Sequence, residues 1–387
     1  MKKFSVFSGS RSEYGLLKSL IKKLNNSKNI DLDLIVSGSH LMEKFGNTIE
    51  EIKNDKIKIS KKIKFEFKNK TINSKNLSEN ASNLISSLSK YLIIKKPEAL
   101  ILLGDRYETF IAAVAGVVSK IKIVHIHGGE LTCGSRDDLY RHAITKMSNY
   151  HFVSTEIYKK RLKQIGESQK NIFKVGALCN DNIKKLKILN QISLEKNLKT
   201  NFYKKNVLVS IHPNTKSKKK NIMEINEIFK SFLKFKNCKF FFSAPNSDEN
   251  SEDIIFKIKS FCNKNENAYY KASFGHELFL NLIKKCDLVI GNSSSGIIEV
   301  PLLGTPSINI GDRQKGRVRA EHTYDCKINH NKIIFLIKRI LSKKKKKINL
   351  QKNPYYGKDV SNKVYNALKR INFNDLNNKY FRDIKFK

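Results

Sequence analysis

Acidic residues are scarce in this 387-residue chain: 35 Asp and Glu stand against 75 Lys and Arg, a formal charge of +40. Such an excess attracts phosphate-bearing partners. Arg is also sparse, however, and the lysines are scattered with Asn and Ile through nearly every segment. No basic stripe interleaved with aromatics is found, as single-stranded nucleic-acid binding would require. The charge is read as a solvated surface, with no nucleic acid and no membrane as partner, and the run Lys343 to Lys347 as an exposed linker. Long apolar runs are missing too, so no segment reaches the length needed to span a bilayer. The opening MKKFSVFSGS is broken at once by Ser, Gly and Arg, which excludes a signal peptide. The six cysteines form no C-x-x-C pair or zinc-site spacing, and are expected to be reduced, mostly buried thiols of a soluble cytoplasmic protein. No H-E-x-x-H, no G-x-S-x-G elbow and no internal repeat is present, so neither a metal site nor a serine-hydrolase triad is expected.

What is present suits packed cores: hydrophobic residues make up 40% and aromatics 10% of the chain. A chain of this length exceeds one ordinary core, and two domains are the default. Short apolar runs alternate with helical patterns, the signature of parallel sheets wrapped by helices. Phe4 to Phe7 reads as a strand, followed by a loop and then Leu16, Leu17, Leu20, Ile21 and Leu24 at helical spacing. Leu32 to Val36, Ala99 to Leu103 and Ile121 to Ile126 repeat the pattern. A second series has strands at Val207 to Ile211, Phe240 to Ser243, Leu288 to Ile290 and Ser307 to Ile310, with the join near residues 177 to 205. Two doubly wound domains facing across a cleft are inferred.

The polar loops fall after the carboxyl ends of these strands, where open parallel sheets bind ligands. GNSSSGIIEVPLLG, from Gly291 to Gly304, runs from a strand through small residues into a helix whose first turn tolerates Pro301. Free backbone N–H groups and the helix dipole there suit a phosphate at Ser293 to Gly296. Glu299, one turn in, is placed to hold ribose hydroxyls. Arg11 in GSRSEYG and Arg313 after a later strand offer guanidinium forks for phosphate. Asp105 and Arg106 follow a very apolar strand, where the proton affinity of a carboxylate is adjustable. His125 to Glu130 follow the next strand, and Asp137, Asp138, Arg141 and His142 come after a glycine-containing loop. Acids and bases thus gather at one sheet edge, as general acid–base chemistry demands.

Taken in order, GSRSEYGLL, VSGSHL, LLGDRYET, HIHGGELT, RHAITKMS, SIHPNT, GNSSSGIIEVPLLGTPSINIGDRQKGR and NPYYGK resemble the hydrolysing UDP-N-acetylglucosamine 2-epimerases of sialic-acid and legionaminic-acid synthesis, from residue 4 to about 370. The resemblance implies an α/β, GT-B-like pair of Rossmann-type domains. Residues 1–176 would face the sugar and 177–370 would bind UDP, with the last helix a candidate to return to the first domain and 371–387 as a tail. It implies a reaction without cofactor or metal: a base removes the C2 proton while UDP leaves C1, and water adds to the resulting 2-acetamidoglucal to give N-acetylmannosamine. By position, Asp105, Asp137 and His212 match catalytic or sugar-contacting residues. Arg11, Gly15, Arg106, Ser293, Ser294, Glu299 and Arg313 match substrate and nucleotide contacts, and Asn246, Ser273 and Phe274 lie near the ribose or uracil. Some members carry a catalytic Glu where this chain has His127. Either His127, whose titration lies near neutrality, or Glu130 is then the second acid/base. A UDP- or GDP-linked 2,4-diacetamido-trideoxyhexose is the alternative substrate, and a glycosyltransferase the alternative class. The family's habit implies a homodimer or homotetramer.

Overall fold

The computed structural model describes residues 1–42, 48–64, 74–214, 218–245, 250–344, 349–373, 379–380 and 382–383. Asn246 and Lys345 to Lys347 lie outside them. The chain divides into two units, the first comprising Met1–Glu130, Arg136–Asn182 and the segment from Pro354 onward, the second Leu131–Ser135 and Ile183–Asn353. The division falls after Asn182, and five residues after Glu130 belong to the second unit.

In the first unit, β1 (Lys2–Ser8), β2 (Ile30–Ser37), β3 (Ile59–Ile63), β4 (Ala99–Leu103), β5 (Lys122–Ile126), β6 (Tyr150–Val153) and β7 (Ile172–Lys174) form one sheet in the order β3-β2-β1-β4-β5-β6-β7. Every pairing is parallel. Side chains alternate across a pleated strand, and here both faces are apolar. Val6, Leu34, Ile101 and Val124 pack on one side against Leu17, Leu20 and Leu24 of helix Arg11–Asn25. Phe7, Ile35, Leu100, Leu102 and Ile123 pack on the other against Leu84, Leu88 and Leu92 of helix Ser74–Lys95 and Ala112 and Ala115 of helix Tyr107–Val118. Burial on both faces is what makes these strands read as continuous apolar runs.

Helix Val360–Arg370 completes the first of these cores with Val360, Val364 and Leu368. Its amino end is held by Asp181, whose carboxylate accepts the N–H groups of Val360 (3.0 Å) and Ser361 (2.5 Å), a favourable place for a negative charge. Tyr355 is fully buried, its hydroxyl 2.7 Å from that of Tyr158.

The second unit repeats the plan with β8 (Lys205–Ser210), β9 (Cys238–Ser243), β10 (Ala268–Lys271), β11 (Leu288–Gly291), β12 (Ser307–Ile310) and β13 (Thr323–Cys326), ordered β10-β9-β8-β11-β12-β13 and wholly parallel. Val207, Val209, Phe240, Phe242 and Ile290 face helices Lys218–Phe232 and His330–Leu341, and Leu208, Phe241 and Val289 face helix His276–Lys285. Both sheets have the doubly wound Rossmann order, whose direction reverses between β1 and β4 and between β8 and β11. Ligands of such sheets bind at that reversal, outside the carboxyl ends of the strands. Among the described residues no helix is long and apolar enough to cross a membrane. The six cysteines are free, with Cys133 exposed, Cys262 half-buried and the others buried.

Candidate functional site

At the reversal of the first sheet, β1 delivers Arg11 as the first residue of its helix, and β4 delivers Asp105 and Arg106 ahead of helix Tyr107–Val118. Ser10 caps the first helix, its hydroxyl accepting the Glu13 N–H at 3.4 Å. The Arg106 Nε lies 3.4 Å from Glu108 Oε2. Gly15 is buried in the helix, and its carbonyl accepts a hydrogen bond from Asn182 at 2.6 Å.

Asp105 is paired with Arg141, a guanidinium that is only 1% exposed. Arg141 Nη1 also donates to the Glu130 carbonyl (2.9 Å) and lies 3.3 Å from Asp138 Oδ1. A charge buried so deeply is tolerable only when paired and hydrogen-bonded, so Arg141 acts as a clasp holding Asp105, Asp138 and the Glu130 backbone in register. Arg141 lies on helix Asp137–Met147, whose first turn carries Asp137, half-buried, beside Asp138. His142 Nε2 stands 3.7 Å from Asp138 Oδ2.

His127 and Glu130 are both buried, at 5% and 1% exposure, with Nδ1 and Oε1 3.7 Å apart. The Leu178 N–H donates to His127 Nε2 at 3.4 Å. A ring nitrogen that accepts carries no proton, so the proton of the neutral ring is on Nδ1, facing Glu130. His127 also has a positive φ of 65°, a conformation uncommon for a residue with a side chain though less so for His. His125 belongs to the framework: its Nε2 binds the Gly104 carbonyl at 2.8 Å and its Nδ1 the Thr145 hydroxyl at 3.2 Å.

In the second unit the reversal lies between His212, after β8, and Ser293 and Ser294, after β11. Asn292 joins them. Its Oδ1 accepts the His212 N–H (2.7 Å), its Nδ2 donates to the His212 carbonyl (2.8 Å), and its own carbonyl accepts from Gln314 (2.9 Å) and Arg313 (3.4 Å). Through its side-chain amide and its backbone carbonyl, this single buried residue therefore ties the loop after β11 to those after β8 and β12. Sequence reasoning had passed over it; the available signal was a polar residue wedged between the end of a core strand and the small-residue turn. The His212 Nε2 is 3.4 Å from the Ser210 hydroxyl.

Ser294 precedes helix Ser295–Leu302. Two of the four amides expected to be free are engaged within the turn, Ser295 N–H with Ser293 Oγ and Gly296 N–H with the Ser293 carbonyl. Pro301 is also not in the first turn of this helix; it is the next-to-last residue. A ring without an N–H ends a helix, and the chain closes by bonds from Leu303 to Glu299 and from Gly304 to Pro301. Glu299 is half-buried one turn in, and Arg313 is buried after β12. The Phe274 side chain is part of the core with Phe241, Leu280 and Ile283, and the neighbouring Ser273 hydroxyl accepts the Gly275 N–H at 3.1 Å.

Known proteins align along this framework. The model of the UDP-N-acetylglucosamine 2-epimerase family matches residues 22–369. The chain is 40% identical over 329 residues to the GDP/UDP-N,N'-diacetylbacillosamine 2-epimerase (hydrolyzing) of Campylobacter jejuni, covering 85% of each protein. It is 37% identical to polysialic acid biosynthesis protein P7 of Escherichia coli, covering 99% of this chain and 97% of that one. Among solved structures, the UDP-GlcNAc 2-epimerase of Neisseria meningitidis bound to UDP-GlcNAc superimposes with a TM-score of 0.80 at 21% identity, over 96% of this chain and 100% of that one. That likeness carries the GT-B-like α/β fold of two Rossmann-type sheets. Two reversal points carrying charged and small residues at the expected positions, and a family match over most of the chain, place this protein in the UDP-N-acetylglucosamine 2-epimerase family.

Proposed function

We propose that this protein hydrolyses UDP-N-acetylglucosamine with inversion at C2, giving N-acetylmannosamine and UDP. The observation that carries the reading is the acid–base set at the carboxyl edge of the first sheet: Asp105 clasped by Arg141, and Glu130 against His127. In the proposed reaction a base takes the C2 proton, the C1–O bond breaks as UDP departs with that electron pair, and a C1=C2 double bond forms. Water then supplies hydroxyl to C1 and a proton returns to C2 from the opposite face. Such an elimination needs a base beside C2 and positive charge at the departing diphosphate. Asp105 and Asp137 are assigned to the sugar, with Glu130 as second acid/base. His127 is its partner rather than its substitute, because one ring nitrogen is engaged by Leu178 and the other faces Glu130. Arg11, Arg106 and Arg313 are assigned to the diphosphate, His212 to the reacting sugar, and Ser293, Ser294 and Glu299 to the nucleoside side.

The relative from Campylobacter jejuni, named for a diacetylbacillosamine nucleotide, favours a second reading in which the sugar bears a 4-acetamido group and the chemistry is unchanged. Incubation of each nucleotide sugar in deuterated water, followed by NMR, tests both. Free sugar deuterated and inverted at C2, together with UDP, is expected from one of the two. Unchanged substrate in both tubes sinks the proposal, and sugar released without C2 deuterium sinks the mechanism.

A further inference from the structure

Glu13 has no part in the chemistry above, yet it is a deeply enclosed carboxyl at the reversal of the first sheet. Two residues after Arg11 it turns inward rather than to water, and only 4% of it is exposed. Its Oε2 accepts the Gly9 N–H at 2.6 Å, and its Oε1 accepts the Thr109 hydroxyl at 2.6 Å. Gly9 opens the turn out of β1, and Thr109 lies in the first turn of the helix that follows Arg106. The same carboxylate therefore grips both segments that carry the anion-binding arginines. The fit is close: a Cβ at Gly9 would stand 3.0 Å from the Glu108 Cβ. The Gly9 carbonyl in turn accepts the Ser39 N–H at 2.9 Å and its hydroxyl at 3.2 Å, so the loop after β2 is tied to the same point.

We propose that Glu13 is a positioning residue for anion binding: its carboxylate latches the turn after β1 to the helix after β4 and thereby sets where Arg11 and Arg106 present their guanidinium groups. Both partners here are donors, and the 2.6 Å distances are those of short, well-formed hydrogen bonds to the two carboxyl oxygens. Displacing a guanidinium from its productive place weakens phosphate binding, while the acid–base groups after β4 and β5 and on helix Asp137–Met147 keep their own supports. This inference rests on the assignment of Arg11 and Arg106 to the diphosphate.

The test uses the full-length protein with Thr109→Val, which removes one donor at constant size, Glu13→Ala, which removes the latch, and Glu13→Gln, which keeps an acceptor for Gly9 and an amide that can donate to Thr109. Affinities for UDP and for inorganic pyrophosphate are read by calorimetry, and KM and kcat with UDP-N-acetylglucosamine, on protein checked for an intact thermal transition. Thr109→Val and Glu13→Ala are expected to raise both dissociation constants and KM about tenfold with kcat within about twofold, the pattern of lost uniform binding, and Glu13→Gln to recover most of the affinity. A purely structural role would lower the active fraction, and so kcat, at constant KM. Unchanged affinity for both anions in folded Thr109→Val overturns the proposal, even if Glu13→Ala fails to fold. Wild-type binding of pyrophosphate but not UDP would refute the UDP assignment and leave the latch to be judged on pyrophosphate; binding of neither would overturn both.

Discussion

Burial sorts the ionisable groups of the first unit into framework and poised residues. His125 is pushed down to about 3 by its burial and His40 to about 4 by the same cause, so both are neutral supports at physiological pH. His40 bridges the Ser8 hydroxyl and Thr48 at 2.9 Å each, as His125 bridges Gly104 and Thr145. Glu13 moves the other way: burial raises it from 4.5 to about 7, with the Arg106 charge opposing and the Glu108 charge adding to the rise. The native state thus holds a proton that the unfolded chain gives up. The associated stability is fully present below about 4.5 and is lost as pH rises through about 7, at most on the order of 3 kcal/mol. Glu13→Gln removes the buried charge. Its melting temperature should exceed that of wild type at pH 8 and match it near pH 5; an equal difference at both pH values would contradict the assignment.

At the scale of elements, the loops after β8, β11 and β12 owe their shape to Gly291 and Asn292. Gly291 has φ +149°, and a Cβ there would stand 1.9 Å from the Ser210 carbonyl oxygen. The contact is to backbone, which cannot swing aside. Gly291→Ala should therefore cost about 3 kcal/mol or more in urea unfolding. Gly296→Ala, in helix Ser295–Leu302 with nothing within 4 Å of the new atom, should be neutral or stabilising by up to about 1 kcal/mol. Equal losses in the two variants would show that the strand-end contact is not what demands glycine. Much at this scale was legible in advance, because apolar runs such as Ala99–Leu103 and Leu288–Gly291 and the polar loops behind them are local patterns. The Asn292 amide was not legible, since its partners are backbone atoms of His212, 80 residues away.

At the scale of the whole molecule, chain order and unit membership diverge, and the divergence has an energetic consequence. Residues from 354 onward return to the first unit. Val360, Val364, Leu368 and Phe373 then enter the core beside Phe4 and Leu24, each worth about 2 kcal/mol or about 8 in all. That is comparable to the entire stability of an ordinary domain, roughly 5 to 15 kcal/mol. The family resemblance marks the last helix as a candidate to return, but composition alone cannot, because the partner of Tyr158 lies at Tyr355 and that of the Val360 amide at Asp181. A fragment of residues 1–182 should accordingly lack a cooperative thermal transition. The same fragment joined by a flexible Gly/Ser linker to residues 354–387 should regain one, together with slow amide exchange in β1 and β4. If the short fragment alone melted cooperatively at the temperature of the joined one, the returning segment would be an addition to the first core rather than part of it.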